Sequence, residues 1–138
     1  MLQTHLIATD KLVVLAAHHH RLARRDSVAF AEVLDEPFVG LKDAALETHL
    51  AERASRLGRQ FDYRVQLRST EMVGMHVEAG IGVSIMSDAA AHTLHRDLAI
   101  VPLAEAWATR RIYLCARDFD ALPPHTHLLA RQLLQQAA

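Results

Sequence analysis

The chain contains a single cysteine, Cys115, so it cannot form an intrachain disulfide. Cys115 lies in a short apolar run, residues 112–116, where a thiol is typical of a buried core position rather than of a nucleophile. Net charge is also small, because 15 Lys and Arg oppose 16 Asp and Glu, which leaves a formal charge of -1. A chain so close to neutral lacks the positive excess that binding to DNA or to an anionic membrane requires.

Long hydrophobic runs are missing as well. The longest apolar stretches are well short of the roughly 20 residues that span a bilayer. Residues 1–10 also lack the basic start and long apolar core of a secretory signal. We therefore expect a cytoplasmic protein with no membrane partner. Its 138 residues, 51% of them hydrophobic, suffice for one compact domain with a core of its own.

Patterns typical of catalysis and of cofactor binding are not found. No nucleophile stands beside a base, and no pair of carboxylates marks a cleft. Residues 80–82 (GIG) lack the third glycine and the acidic partner of a dinucleotide site. Three adjacent histidines, residues 18–20, cannot all face one metal ion without strain, and no second ligand cluster has clear spacing. We predict no catalytic residue, no metal and no cofactor.

The most informative segment is VEAGIGVSIMS, residues 77–87. It predicts the end of a helix, a tight turn, a buried strand and the start of another helix. Gly80 suits the left-handed position that ends a helix, and Gly82 allows the backbone to approach the sheet closely. Ser87 or Asp88 can cap the helix that follows. Because ligands of open α/β sheets bind where strands end and helices begin, this segment indicates a small-molecule site.

Strands and helices alternate along most of the chain. The predicted strands are residues 11–17, 38–41, 63–67, 81–86, 98–103 and 111–116. The predicted helices are residues 30–34, 43–57, 70–79 and 88–94, with a last one from Pro123. This alternation, with short connections, predicts an α/β fold with a largely parallel sheet.

Helical spacing predicts which side chains face the core. For residues 43–57 we expect Asp43 to cap the helix, Gly58 to end it, and one apolar face made of Leu46, Leu50, Ala54 and Leu57. Ser69 or Thr70 should cap the next helix. The side chains of that helix expected to face largely inward are Met72, Val73, Met75, Val77 and Ala79. The apolar face of the last helix is expected to consist of Leu128, Leu129, Leu133 and Leu134.

Five segments occur in the order and spacing of a known family. They are residues 10–15 (DKLVVL), 18–23 (HHHRLA), 33–39 (VLDEPFV), 78–86 (EAGIGVSIM) and 98–103 (LAIVPL). In these segments, which extend over nearly the whole chain, the sequence resembles the effector-binding domain of LysR-type transcriptional regulators. It departs from the family pattern at Ser87, where a proline commonly follows the buried strand, and in the histidine segment, where the usual proline is replaced.

This resemblance implies a periplasmic-binding-protein-like fold, in which two α/β subdomains joined by two crossover segments enclose a small effector. Residues 18–101 would form a nearly complete second subdomain. Residues 1–17 would be a remnant of the first subdomain with one crossover strand, and residues 102–138 the return crossover with the last strand and helix of the first. Because the winged helix-turn-helix is missing, we expect a fragment of a longer regulator that contacts promoter DNA only through that missing domain.

The candidate effector site lies where three predicted strands end. One loop joins a strand to a helix start, where free N–H groups and the helix dipole favour an anion. Hydroxyls at two further helix starts can donate to an effector or simply cap those helices. The alternative is that Asp43 occupies the free donors of its helix as a simple cap, where it would also repel an anion. The candidate ligand-binding residues are Gly40, Leu41, Lys42, Asp43, Ser69, Thr70 and Ser87.

Two classes of function fit this pattern. The first is an effector-sensing domain of a transcription regulator, binding a small metabolite, with an anion favoured, and performing no chemistry. The alternative is the solute-binding protein of a transport system with the same architecture, which the missing secretory signal disfavours. A small α/β enzyme would need an acid–base pair that the sequence lacks. Because the leucines of the last helix should pack on a largely absent subdomain, we also expect a homodimer or higher oligomer.

Overall fold

The computed structural model describes the backbone of residues 3–116 and most side chains as far as Arg111. Its strands are β1 (Gln3–Ala16), β2 (Pro37–Leu41), β3 (Asp62–Leu67), β4 (Ser84–Ser87), β5 (Ala99–Pro102) and β6 (Thr109–Ala116). Its helices are α1 (Phe30–Leu34), α2 (Ala45–Arg56), α3 (Thr70–Glu78) and α4 (Asp88–His92), and residues Ala106–Ala108 form a 3-10 helix. The side chain of Cys115 and the helix predicted from Pro123 lie outside the described part.

The chain divides into two compact units. One comprises Met1–Asp10 with Thr109–Ala138, and the other comprises Lys11–Ala108. In the described part of the first unit, β6 pairs with β1, and the Arg110 guanidinium donates to the Asp10 carboxylate at 2.7 Å. β1 is much longer than the strand predicted for residues 11–17, because residues 3–10, a mixture of polar and apolar side chains, continue it.

The second unit is built on mixed strand pairing. β2 and β3 pair in parallel, whereas β1 runs antiparallel to β4 and to β5, the two strands of this unit that pair with it. A parallel bridge between Phe38 and Val83 connects β2 to β4. The prediction of a largely parallel sheet therefore holds for the strands that alternate with helices. It was wrong for β1, because an apolar run does not indicate strand direction.

Two hydrophobic clusters lie on opposite faces of β1. Leu12 and Val14 belong to one cluster with side chains of α1 and α2, while Val13 and Leu15 belong to the other with side chains of α3 and α4. Successive side chains of a strand point to opposite faces, so a strand covered on both sides needs an unbroken apolar run. The run at the end of β1 is therefore explained by a helix–sheet–helix arrangement.

The glycine turn before β4 has the predicted geometry. Gly80 has a φ of 83°, in the left-handed region that ends a helix without strain. A Cβ at Gly82 would lie 2.5 Å from the carbonyl oxygen of Pro37, so only glycine lets this backbone approach β2. Both predicted roles are confirmed.

Three predicted inward positions of the α3 region and one of the α2 region were wrong. Leu57 is 54% exposed, because α2 ends at Arg56 and the chain turns at Gly58, whose φ is 68°. Met72 and Met75 are 45% and 49% exposed, and Ala79 is exposed too. Only Val73 and Val77, with Gly74 between them, are buried, so α3 contributes a narrower stripe than its composition suggested. No helix in the described part of the chain is long and apolar enough to cross a membrane.

We predict a pH-dependent contribution of His20 to stability. Its Nδ1 accepts the N–H of Leu22 at 3.1 Å, so the imidazole is neutral in this arrangement. Burial lowers the pKa of His20 below 6.5, aided by Arg21 and His19 and opposed by Glu36. Because the unfolded chain then binds the proton more readily, stability should fall as pH drops below about 6.5. The amide oxygen of the His20→Asn variant can still accept the Leu22 N–H. Urea unfolding between pH 7.5 and 5 should therefore show a smaller loss of unfolding free energy in this variant than in the wild type. An unchanged decrease would exclude His20 as its source.

Candidate functional site

The ends of β2, β3 and β4 lie at one edge of the second unit. Leu41 pairs with Leu67 where β2 and β3 end together. Counted from the bridge between Phe38 and Val83, Leu41 is three residues further along β2 and Ser87 four residues further along β4. Because these strands run parallel, the helix starts that follow them lie at the same edge, which we call the carboxyl edge. All seven candidate residues lie on or next to it.

The loop after β2 leaves the start of α2 without a side-chain cap. The Lys42 N–H donates to the carbonyl oxygen of Leu67 at 2.7 Å, which continues the pairing with β3 by one residue. Asp43 then adopts a φ of 61°, and Ala44 is the N-cap residue, with no side-chain hydrogen bond. The prediction that Asp43 caps α2 was wrong, because its left-handed backbone moves the cap position one residue further. The first N–H groups of α2 therefore lack a carboxylate from Asp43.

Glu47 fixes the geometry of this loop, and the sequence reasoning missed it. Its two carboxylate oxygens accept the N–H of Leu41 at 2.9 Å and the hydroxyl of Tyr63 at 3.0 Å. Glu47 thereby ties α2 to both parallel strands. Burial, and after it the Glu47 carboxylate, raise the pKa of the Tyr63 hydroxyl above its ordinary value, so Tyr63 remains a donor to Glu47 well into the alkaline range. The sequence signal that could have identified Glu47 is its place as an acidic residue in the first turn of the predicted helix.

Gly40 has a packing role in this structure. A Cβ at this position would lie 2.7 Å from Cε1 of Tyr63, so the absence of a side chain makes room for the ring. Gly40 and Tyr63 together allow the hydroxyl of the tyrosine to reach Glu47.

The serines at the other two helix starts act as caps. Ser69 Oγ accepts the N–H of Met72 at 3.2 Å, and Ser87 Oγ accepts the N–H of Ala90 at 3.1 Å. The predictions that one of Ser69 and Thr70, and one of Ser87 and Asp88, caps its helix are confirmed. The Thr70 hydroxyl makes no hydrogen bond within the described part of the chain, and it is half-buried.

Ser69 and Thr70 should differ in their contribution to stability. Ser69→Ala removes the cap of α3 and should lower the free energy of unfolding by about 1 kcal/mol. Thr70→Val keeps the shape of the side chain and removes an unbonded hydroxyl, so it should change stability by less than about 0.5 kcal/mol. Urea unfolding of the two variants measures this difference. Equal losses would show that the assignment of the cap is wrong.

The three adjacent histidines do not share a site. His18 Nε2 lies 2.7 Å from Asp97 Oδ1, whereas His20 Nε2 lies 3.6 Å from Glu36 Oε1. His19 lies close to Gly80. Among the described residues, no group of three or more histidine, cysteine or acidic side chains is close enough to hold a metal ion.

A separate cavity of about 460 Å³ lies beside the end of α2. Its lining includes Phe61, which precedes β3, Tyr63 at the start of β3, and the small residues Ala51, Ala54 and Gly58. None of the seven candidate residues lines it. The cavity is therefore a rival location for a ligand.

Comparisons with known proteins show the family. The sequence model of the family described as the LysR substrate binding domain matches residues 1–138. A probable nitrogen assimilation transcriptional activator of Synechococcus elongatus is 29% identical in an alignment of 136 residues, which covers 96% of this chain and 43% of that protein. The chain thus spans less than half of the length of this curated relative.

Two solved structures show the same fold. The BenM effector binding domain with its effector benzoate has a TM-score of 0.75 at 20% identity, and the match covers 98% of this chain and 62% of that one. The regulatory domain of CcmR from Synechocystis PCC6803, in complex with 2-PG, also has a TM-score of 0.75, at 24% identity. This match covers 97% of this chain and 66% of that one. The predicted periplasmic-binding-protein-like α/β fold is confirmed. Its family is a regulator's effector domain, which is not an enzyme class. The chain, matched over its whole length, belongs to the LysR substrate-binding domain family.

Proposed function

We propose that this chain is the effector-sensing part of a LysR-type transcription regulator and that it binds a small metabolite at the carboxyl edge. The observation that carries this proposal is the convergence of three helix starts at one edge, where α2 has no side-chain cap. Uncapped N–H groups at a helix start attract anions, aided by the helix dipole. The benzoate bound by the BenM domain, a carboxylate, is in keeping with this chemistry.

The residues available to an effector are those that the fold leaves unoccupied. Ser69 and Ser87 already cap their helices, although their hydroxyl hydrogens remain free to donate. Thr70 adds a hydroxyl without a partner within the described residues. A carboxylate at the start of α2 would accept backbone N–H groups, while these hydroxyls fix its orientation.

Effector binding would act through two subdomains. We propose that residues 18–101 form the second subdomain and that residues 1–17 and 102–138 supply crossovers and parts of the first. An effector shifts such an equilibrium only if it binds one arrangement of the subdomains more tightly than the other. The preferred arrangement would then set the operator affinity of a DNA-binding domain elsewhere in the regulator.

The test uses the full-length regulator with its operator. Operator affinity is measured by gel shift with a panel of carboxylate metabolites, for the wild type, Thr70→Val and Arg24→Gln, an exposed residue away from the carboxyl edge. We expect at least one metabolite to change operator affinity, with a weaker response in Thr70→Val and an unchanged one in Arg24→Gln. Failure of every metabolite to alter operator affinity would overturn the proposal.

We also propose that the protein forms homodimers or higher oligomers. Met72, Met75 and Ile81 lie within ten residues of one another and are between 43% and 49% exposed, so these large apolar side chains are available to a partner. Light scattering at high protein concentration tests this, and a monodisperse monomer would contradict it.

A further inference from the structure

Most arginines of the second unit have partners. Those paired with carboxylates are Arg21, Arg25, Arg56, Arg59, Arg64 and Arg96. Arg53 lies over the ring of Trp107, with its guanidinium carbon 4.9 Å from the ring centroid. A basic side chain that has neither a carboxylate nor an aromatic ring as a partner is therefore the exception in this unit.

The exceptions concentrate at the carboxyl edge. The side chains of Lys11, Lys42 and Arg68 are exposed and make neither a hydrogen bond nor an ion pair within the described part of the chain. The same holds for the side chain of Arg24, which lies away from this edge. Lys11 and Lys42 are the only two lysines of the sequence. Both lysines thus lie where the effector is proposed to bind, and neither side chain has a partner among the residues that the structure describes.

Strand order fixes how these cations are arranged. Lys42 directly follows β2, and Arg68 directly follows β3. Lys11 precedes Leu12, which pairs with Ser87 at the end of β4. Since β4 lies between β2 and β1, Lys42 and Lys11 stand two strand spacings apart, or about 10 Å. Two long side chains at that separation can both reach one small molecule.

The acidic residues at this edge keep their charge, but most of them are held by partners other than these cations. Glu47 is engaged by Leu41 and Tyr63, and an oxygen of the Asp88 carboxylate lies 3.2 Å from Nδ1 of His92. Asp43, next to Lys42, is exposed and makes no ion pair within the described residues. Asp43 is therefore the one carboxylate positioned to compete with an anion for Lys42.

We propose that the effector carries two separate anionic groups, one held by Lys42 with the start of α2 and the other by Lys11 near Ser87. This inference rests on the proposed function and names the ligand class of that site. A lysine ammonium is a compact, mobile charge that suits a carboxylate or a phosphate equally. A single carboxylate would leave one of the two lysines unused, whereas a dicarboxylate or a phosphorylated carboxylate engages both.

The test is isothermal titration calorimetry of the protein with matched probes. The dicarboxylates malonate, succinate, glutarate and adipate, and 3-phosphonopropionate, are compared with monocarboxylates of equal chain length. One of the dianions should bind at least about tenfold more tightly than its monoanion, as a charge-assisted hydrogen bond allows. Lys11→Gln and Lys42→Gln should each remove that advantage, Asp43→Asn should increase it, and Arg24→Gln should leave it unchanged. Circular dichroism confirms that each variant is folded.

Two results would overturn the inference. Equal affinities for every dianion and its matched monoanion would exclude recognition of a second anionic group. A dianion advantage that survives both lysine substitutions would place that recognition elsewhere. The proposed function stands in either case if some metabolite still changes operator affinity, and it fails separately if none does.

Discussion

Gly82→Ala is expected to lower the free energy of unfolding by about 3 kcal/mol, because the added methyl group would clash with backbone atoms. Such overpacking can be relieved only by moving the backbone, which makes it one of the more destabilising kinds of substitution. The new Cβ would lie 2.5 Å from the Pro37 carbonyl oxygen, 2.8 Å from its carbon and 3.2 Å from the Phe38 nitrogen. These are backbone atoms, so no side chain can move aside. Relief would require lengthening the hydrogen bonds that join β2 to the start of β4, from Val83 to Pro37 at 2.9 Å and from Val39 to Val83 at 2.8 Å.

Gly74→Ala is the matched control. Gly74 lies in α3, and its added Cβ would meet only side-chain atoms of Arg96 and Leu94, at 3.2 and 3.3 Å. Alanine also favours helix over glycine by about 1 kcal/mol, so the change should be small. Urea unfolding followed by circular dichroism measures both variants. Equal stabilities of Gly82→Ala and wild type would show that β4 does not approach β2 as closely as described.

Phe38→Ala should lower the free energy of unfolding by about 4 kcal/mol, since deleting a buried aromatic ring removes its transfer free energy and leaves a cavity. Phe38 is fully buried, and its ring centroid lies 4.3 Å from that of Phe61 and 5.7 Å from that of Tyr63. It also forms the parallel bridge with Val83. Phe38→Ala therefore weakens the side-chain packing at the junction of β2 with β4, whereas Gly82→Ala disturbs the backbone contact at that junction.

Phe38→Leu separates apolar volume from ring packing. Leucine retains most of the buried apolar surface, so we expect a loss well below that of Phe38→Ala, about 1 to 2 kcal/mol. The same urea titration compares the two. A Phe38→Ala variant as stable as the wild type would mean that Phe38 does not anchor the core.

Local signals predicted most of the described elements. Gly80 and Gly82 were interpreted correctly because left-handed backbone and close backbone approach are properties of glycine itself. Ser69 and Ser87 were predicted as alternatives among possible caps, since serine oxygens accept N–H groups three residues on. These features depend on a few neighbouring residues, which a sequence displays directly.

Features that depend on distant residues were not predictable. The antiparallel direction of β1 results from its position between β4 and β5, which no local pattern reports. Met72 and Met75 resemble core residues by composition, yet the buried stripe of α3 is narrower and leaves them exposed. Hydrophobicity alone does not decide which apolar residues of a helix face the sheet.

The candidate site was predictable as a location and less so in detail. Sequence order indicated that Lys42, Ser69 and Ser87 follow strand ends, and the structure places them at one edge. The bonds of Glu47 to Leu41 and Tyr63 could not be anticipated, because they connect residues on three different elements. The left-handed backbone of Asp43 likewise follows from the path between β2 and α2 rather than from the aspartate itself.

The most direct test of effector binding at the carboxyl edge is a crystal structure of the protein with an effector that changes its operator affinity. We predict density for the effector within hydrogen-bond distance of Lys42, Thr70 and the first N–H groups of α2. Density instead in the cavity between α2 and the start of β3, against Phe61 and Tyr63, would contradict the proposed site.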